Sequence, residues 1–296
     1  MFKKAIKEGS KIKLAIFGPS GAGKTYSALS IATGITSITG GKIAVIDSER
    51  GTARKYADRF DFDVAELEDY SIASYIQNIE SANMYDVLII DSLTHGWQYL
   101  VREVDKLAQA KYRGNTWAAW NEGTPLQKKL VSSFYSFNGH IIATMRSRTE
   151  WTVDKDRSGQ TRPVRVGLAP EQGKGIEFEF DMLLELSTSH IGNVIKDRTG
   201  SPFQDVIIEK PGVDFGKELF NLVCKDNTDQ TEWEKYTFQK GKFEGKKVSE
   251  VVDLEYLTTI SNQSSTPDGL KDICSARVVA LRKSWIQIEK NLEVEK

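Results

Sequence analysis

The sequence predicts an α/β fold: a mostly parallel sheet flanked by helices, followed by a small α+β unit. Three observations carry that expectation. Short β-branched runs, apolar on both faces, recur through the first two thirds of the chain. Amphipathic stretches separate them, and a polar run near residue 225 breaks the pattern. Strands apolar on both faces belong to a sheet covered on both sides.

The first four strands are read at Ile12–Phe17, Ile43–Ile46, Val87–Ile90 and His140–Thr144. The helices between them are read around Thr25–Ile35, Ile72–Ser81, Trp97–Ala110 and Leu126–Phe137, where apolar residues recur at helical spacing. After Thr144 the rhythm becomes alternating. Trp151–Val153, Val164–Val166, Phe178–Leu186 and Val194–Lys196 read as strands and hairpins that extend the sheet. A helix from about Asp214 to Cys224 closes a first domain over 1–225. The run KDNTDQTE supplies a linker, 226–232, and a compact C-terminal domain over 233–296 follows, ending in a helix through Val278–Ile288.

Bulk properties exclude several classes. The 296 residues are 40% hydrophobic and 27% charged, the balance of an ordinary globular chain. A net charge of -1 excludes a protein that coats nucleic acid by bulk attraction, while leaving room for a local basic groove. Two cysteines, Cys224 and Cys274, stand without metal-ligand spacing, which fits a reducing compartment. No apolar run suits a signal peptide or a membrane span, so the expectation is a cytoplasmic protein without membrane contact.

The chemistry begins at Gly18-Pro19-Ser20-Gly21-Ala22-Gly23-Lys24-Thr25, a complete G-x-x-x-x-G-K-[ST] phosphate loop between a strand and a helix. Backbone N–H groups and the helix N-terminus then point at phosphates. Lys24 is expected to reach the β- and γ-phosphates of ATP, and the Thr25 hydroxyl to ligate Mg²⁺. Asp91 ends the run Val87–Ile90, where a carboxylate faces the phosphate loop and holds Mg²⁺ through water; a helix cap is the alternative. Asp47-Ser48-Glu49 ends another strand, and Glu49 there can orient a water for attack on the γ-phosphate.

At these residues the chain resembles RecA-type ATPases. "KIAVIDSERGTARKYADRF" is similar to their second core strand, followed as there by "YDVLIIDSLTHGW". The resemblance implies that Glu49 activates water and that Tyr56 stacks on the adenine. It departs from RecA at Ala53, where that family has an acidic residue, and at Thr144-Met145-Arg146, where RecA has an I-N-Q string. In "GNVIKDRTGSPF", Lys196 and Arg198 match a Lys-x-Arg pair that reaches a neighbouring subunit's γ-phosphate in RecA-like and DnaB-like motors. That implies self-association into a ring or filament; a solvated surface hairpin is the alternative. The block from Arg146 to Glu185 resembles phage-encoded AAA/RecA-like ATPases, some of them single-strand annealing or recombination proteins.

In RecA-like proteins two loops, after the third and fourth core strands, line the DNA path. Their counterparts are Ala110–Pro125, with Lys111, Arg113, Trp117 and Trp120, and Arg146–Gly167, with Arg146, Arg148, Arg157, Arg162 and Arg165. Cations among aromatics suit single strands, although the two tryptophans also have the spacing of a packed helix. "YTFQKGKFEGKKVSEVVDLEYL" resembles the C-terminal domain of exodeoxyribonuclease X-like proteins, without a nuclease carboxylate cluster. The expectation is a Mg²⁺-dependent ATPase acting on single-stranded DNA in phage recombination, annealing or replication, in a bacterial host's cytoplasm, with a phage single-strand binding or replication protein as a further partner. A nucleotide-gated scaffold or loader and a P-loop phosphotransferase remain the alternatives.

Overall fold

The structure is a computed structural model describing residues 10–155, 161–200, 203–224 and 236–263, with positions 266, 269–271, 273–275 and 277–278; side chains over 150–166 are excepted. The chain divides into two compact units, with the break between Cys224 and Lys225.

Among the described residues of the large unit, nine strands form one sheet. They are β1 (Lys13–Gly18), β2 (Ile43–Asp47), β3 (Asp63–Glu66), β4 (Val87–Asp91), β5 (His140–Lys155), β6 (Thr161–Pro170), β7 (Met182–Leu186), β8 (Ile191–Asp197) and β9 (Ile207–Glu209). The order is β3-β2-β4-β5-β1-β7-β8-β9, with β6 paired to β5 outside that path. Strands from β3 to β7 run parallel, while β8 and β9 are added antiparallel. The helices are α1 (Lys24–Thr39), α2 (Ile72–Ser81), α3 (Leu93–Lys111), α4 (Thr116–Ser136) and α5 (Val213–Cys224).

Every residue of β2 and β4 is buried because helices cover both faces. On one face α2, α3 and α4 pack around Tyr75, Phe134 and Phe180. On the other, α1 and α5 enclose Ile31, Ile35, Phe215 and Leu219. No helix among the described residues is long and apolar enough to cross a membrane.

Four expectations need correction. The stretch Ala110–Pro125 is a helical hairpin rather than a loop: α3 runs to Lys111 and α4 starts at Thr116. Asn115 caps α4, its Oδ1 accepting the Ala118 N–H at 3.1 Å, and Pro125 lies inside the helix. Phe178–Leu186 is a strand only from Met182, because Ile176–Phe178 forms a 3-10 turn. β3 went unread: it is four residues long, with polar ends and half-buried on the sheet edge. Of the expected Lys-x-Arg pair, Lys196 lies on β8 while Arg198 falls one residue beyond its end.

The second unit has its own small core of Phe238, Val248, Val251, Leu257, Cys274 and Val278. A bridge between Thr237 and Lys247 closes its Lys-rich turn. The helix α6 (Leu254–Asn262) is capped by Asp253, whose Oδ1 accepts the Tyr256 N–H at 3.0 Å. The expected helix through Val278–Ile288 lies outside the described residues beyond Val278.

Candidate nucleotide site

β2, β4 and β1 end on one edge of the sheet, where β5 runs on past them, and together they assemble the site. Register places Asp47 beside Asp91, Ile16 beside Thr144 and Gly18 beside Arg146. Ligands bind outside the carboxyl ends of strands in such sheets.

The phosphate loop leaves β1 at Gly18. A Cβ there would sit 2.3 Å from the Leu186 carbonyl oxygen, so only glycine fits against β7. Gly23 holds φ +85, a left-handed turn that starts α1. Lys24 Nζ folds back on the loop, donating to the Gly18 and Pro19 carbonyls at 3.0 and 2.9 Å. Burial pushes the Lys24 pKa down, against the pull of Asp91 and Glu49.

Thr25 Oγ1 donates to Asp91 Oδ2 at 2.6 Å, and Thr144 Oγ1 donates to Asp91 Oδ1. Burial raises the Asp91 pKa, while the two hydroxyls act to lower it. Thr25 and Asp91 offer adjacent hard oxygen donors, a set that suits a phosphate-borne Mg²⁺.

Glu49 hangs on a loop folded by a buried carboxylate. Asp47 Oδ1 accepts the Glu49 N–H at 2.6 Å, and its Oδ2 accepts the Ala53 N–H at 2.9 Å. Arg146 then grips the Glu49 side chain, its Nη2 lying 2.9 and 3.0 Å from the two carboxylate oxygens. His95 Nε2 stands 3.8 Å from the same carboxylate. Its Nδ1 lies 2.9 Å from Ser48 Oγ, which accepts the Ser92 N–H. Arg146 is fixed at the backbone, where its N–H donates to Thr94 Oγ1 at 2.9 Å.

Lys24, Thr25, Glu49, Asp91 and Arg146 line a cleft of about 600 Å³ together with Tyr26, Tyr56, His190 and Lys210. A cleft that size is within the range of small-molecule sites. Tyr26 meets Tyr56 edge-on at 5.8 Å, giving an aromatic wall beside the phosphate loop. His190 comes from the turn between β7 and β8 with φ +61. Its Nδ1 donates to the Ala22 carbonyl at 3.1 Å, since a carbonyl only accepts.

Comparison with known proteins bears on this geometry. Residues 10–203, more than half of the chain, match the family described as an AAA domain. The chain belongs to that AAA domain family. Among solved structures, a KaiC-like protein from the hyperthermophilic archaeon Pyrococcus horikoshii aligns over 69% of this chain and 88% of its own. The identity is 15% and the TM-score 0.39, a likeness too slight to carry an argument. No curated protein matches.

The AAA domain gathers Lys24, Thr25, Glu49, Tyr56 and Asp91 in one cleft. It also gathers Arg146, which was expected on a DNA loop; the parallel register of β5 with β1 puts it beside the phosphate loop instead. Lys196 and Arg198 are elsewhere. β8 runs antiparallel, so its C-terminal end lies at the sheet edge opposite the phosphate loop. Lys196 Nζ donates to the Glu177 and Phe180 carbonyls, and Arg198 Nη1 to the Phe178 carbonyl at 2.9 Å.

Of the residues expected to line DNA, Lys111 pairs with Glu122 at 2.5 Å. Trp120 stacks on Trp97 at 5.4 Å between α3 and α4 of the AAA domain, which leaves it partly buried against the core. Trp117 is 86% exposed, and Arg113 and Arg148 are exposed as well. Arg162 and Arg165 lie on β6 with side chains outside the description, and Arg157 lies outside the described residues. Sequence reasoning missed Asp47, Thr144 and His190. An Asx turn was legible in Asp47-Ser48-Glu49, whereas nothing local marks His190, which a distant turn delivers.

Proposed function

We propose that this AAA domain hydrolyses Mg²⁺·ATP, with Glu49 as the water-activating base and single-stranded DNA as the polymer it serves. The observation that carries hydrolysis is the position of Glu49. It lines the same cleft as Lys24, Thr25 and Asp91, on the adjoining strand ends. When bound through Thr25 and Asp91, Mg²⁺ would neutralise phosphate charge. Lys24 and the loop N–H groups hold the phosphates, and Glu49 accepts the proton of the attacking water. Tyr56 and Tyr26 offer a face for the base. In this reading Lys196 and Arg198, which lie away from their own phosphate loop, serve the nucleotide of a neighbouring subunit.

DNA contact is supported by exposed Trp117 beside Arg113 at the α3–α4 turn, and by the hairpin of β5 and β6 that carries Arg148. The phage setting, the recombination or annealing role and the nuclease-like likeness of the C-terminal unit belong to this same reading. A second reading, a nucleotide-gated scaffold with little turnover, is favoured by the Arg146 grip on both Glu49 oxygens.

Turnover of Mg²⁺·ATP with and without a single-stranded oligonucleotide separates the two. Hydrolysis that rises with the oligonucleotide supports the first reading. Tight nucleotide binding with no turnover in either condition leaves the scaffold.

A further inference from the structure

The Glu49–Arg146 pair is also a wall between two clefts. On its far side lies a second cleft of about 370 Å³, lined by Arg50, His95, Gln98 and Arg102 as well as by Glu49 and Arg146. Three arginines and one carboxylate line it, and Arg146 already holds both oxygens of that carboxylate. Among the described residues, neither the Arg50 nor the Arg102 side chain has an ion pair or hydrogen bond. Gln98, which lines the cleft, donates from Nε2 to Glu171 at 2.7 Å. Arg50 itself holds φ +58, a left-handed backbone that costs energy for a residue with a side chain. The cleft therefore has unbalanced positive charge, a planar donor set and room for a small anion.

We propose that this second cleft is a phosphate-recognition site, and that a phosphate group bound there draws Arg146 off Glu49. The proposal rests on Glu49 as the hydrolytic base and adds its control. Arg146 takes three of the roughly four lone-pair sites of the Glu49 carboxylate, which leaves about one for a water. A guanidinium accepts phosphate as readily as carboxylate, through the same two-pronged geometry. The Arg146 side chain is 43% exposed and that of Glu49 27%, so the fork has room to turn toward the second cleft. A free phosphate or the backbone of a nucleic acid would present the same chemistry.

The test uses the full chain at constant ionic strength, because exposed charges are screened by salt. ADP formation is measured alone, with inorganic phosphate, and with an oligothymidylate. A positioned general base contributes roughly 10²–10⁴-fold, so releasing it should raise turnover by about tenfold or more. Stimulation by phosphate assigns a small-anion ligand, and stimulation by the oligonucleotide alone assigns a nucleic-acid backbone. In either case the double variant Arg50→Ala, Arg102→Ala should lose the response, with its melting temperature reporting an intact fold. A double variant stimulated like the wild type overturns the proposal, as does a wild type that neither anion stimulates.

Calorimetric titration of both anions into wild type and double variant reads binding without turnover. If the wild type never hydrolyses ATP, the hydrolysis reading and the coupling both fail. Equal anion affinity in wild type and double variant then removes the pocket too.

Discussion

Replacing Glu49 by Gln separates chemistry from structure. The amide is the same size, still lends an oxygen to Arg146, and cannot take a proton. The ion pair it removes is partly exposed on both sides, at 27% and 43%. Such pairs contribute at most about 1 kcal/mol, so the melting temperature of a domain this size should move by no more than about 2–4 °C. With an anion present that frees Glu49 from Arg146, hydrolysis should fall by roughly 10²–10⁴-fold, about 3–5 kcal/mol of activation free energy. Nucleotide affinity should hold, because Lys24 and the phosphate loop are untouched. Single-turnover phosphate release, titration with a fluorescent ATP analogue and a thermal melt read the three quantities. Hydrolysis within about twofold of wild type would refute the role of Glu49 as base. Loss of binding together with turnover would show that Glu49 shapes the cleft.

Three further outcomes are expected. His140 is buried, its Nδ1 accepts the Ile12 N–H at 3.0 Å, and burial, then Lys11, pushes its pKa from 6.5 down to about 4. Only the unfolded chain binds that proton between those values, so stability should be full above pH 6.5 and fall by up to about 3 kcal/mol toward pH 4. Urea melts of wild type and His140→Gln at several pH values check this, and equal slopes would contradict it. Trp120→Ala should destabilise by about 2 kcal/mol through lost packing on Trp97, while Trp117→Ala should stay within about 0.5 kcal/mol. If Trp117 stacks on a base, its loss should weaken oligonucleotide binding by about 1–3 kcal/mol; unchanged affinity removes it from the DNA surface. Gly18→Ala drives a methyl onto the Leu186 carbonyl, and the displaced loop should lose at least about tenfold in nucleotide affinity by titration.

The parts of this molecule that were legible in the sequence are those whose causes are local. Gly18–Thr25 states its turn, its helix start and its ligand in eight neighbouring residues. β2 and β4 announce themselves because burial on both faces demands unbroken apolar runs. Arg146 was placed on the wrong surface because its position depends on pairing with β1, more than a hundred residues upstream. The α3–α4 hairpin was taken for a loop because the resemblance to RecA-like proteins implies a DNA-lining loop at Ala110–Pro125. Tertiary packing overrides that: Gly123 lies in the helix contact, where a Cβ would meet Val104 at 2.5 Å. His190 and Lys210 reach the cleft only through the antiparallel turn back of β8 and β9, which no short-range pattern encodes.

The two backbone hydrogen bonds of Asp47 set a clock. Because Asp47 ties down the N–H groups of Glu49 and Ala53, the loop bearing Glu49 is held at both ends. Any exchange of partners by that carboxylate is a rotation about side-chain bonds rather than a movement of chain. Such rotations at partly exposed positions take about picoseconds to nanoseconds, against microseconds or longer for loop and domain rearrangements. The Glu49 contact can therefore be broken and remade at the pace of side-chain motion, with the loop itself standing still.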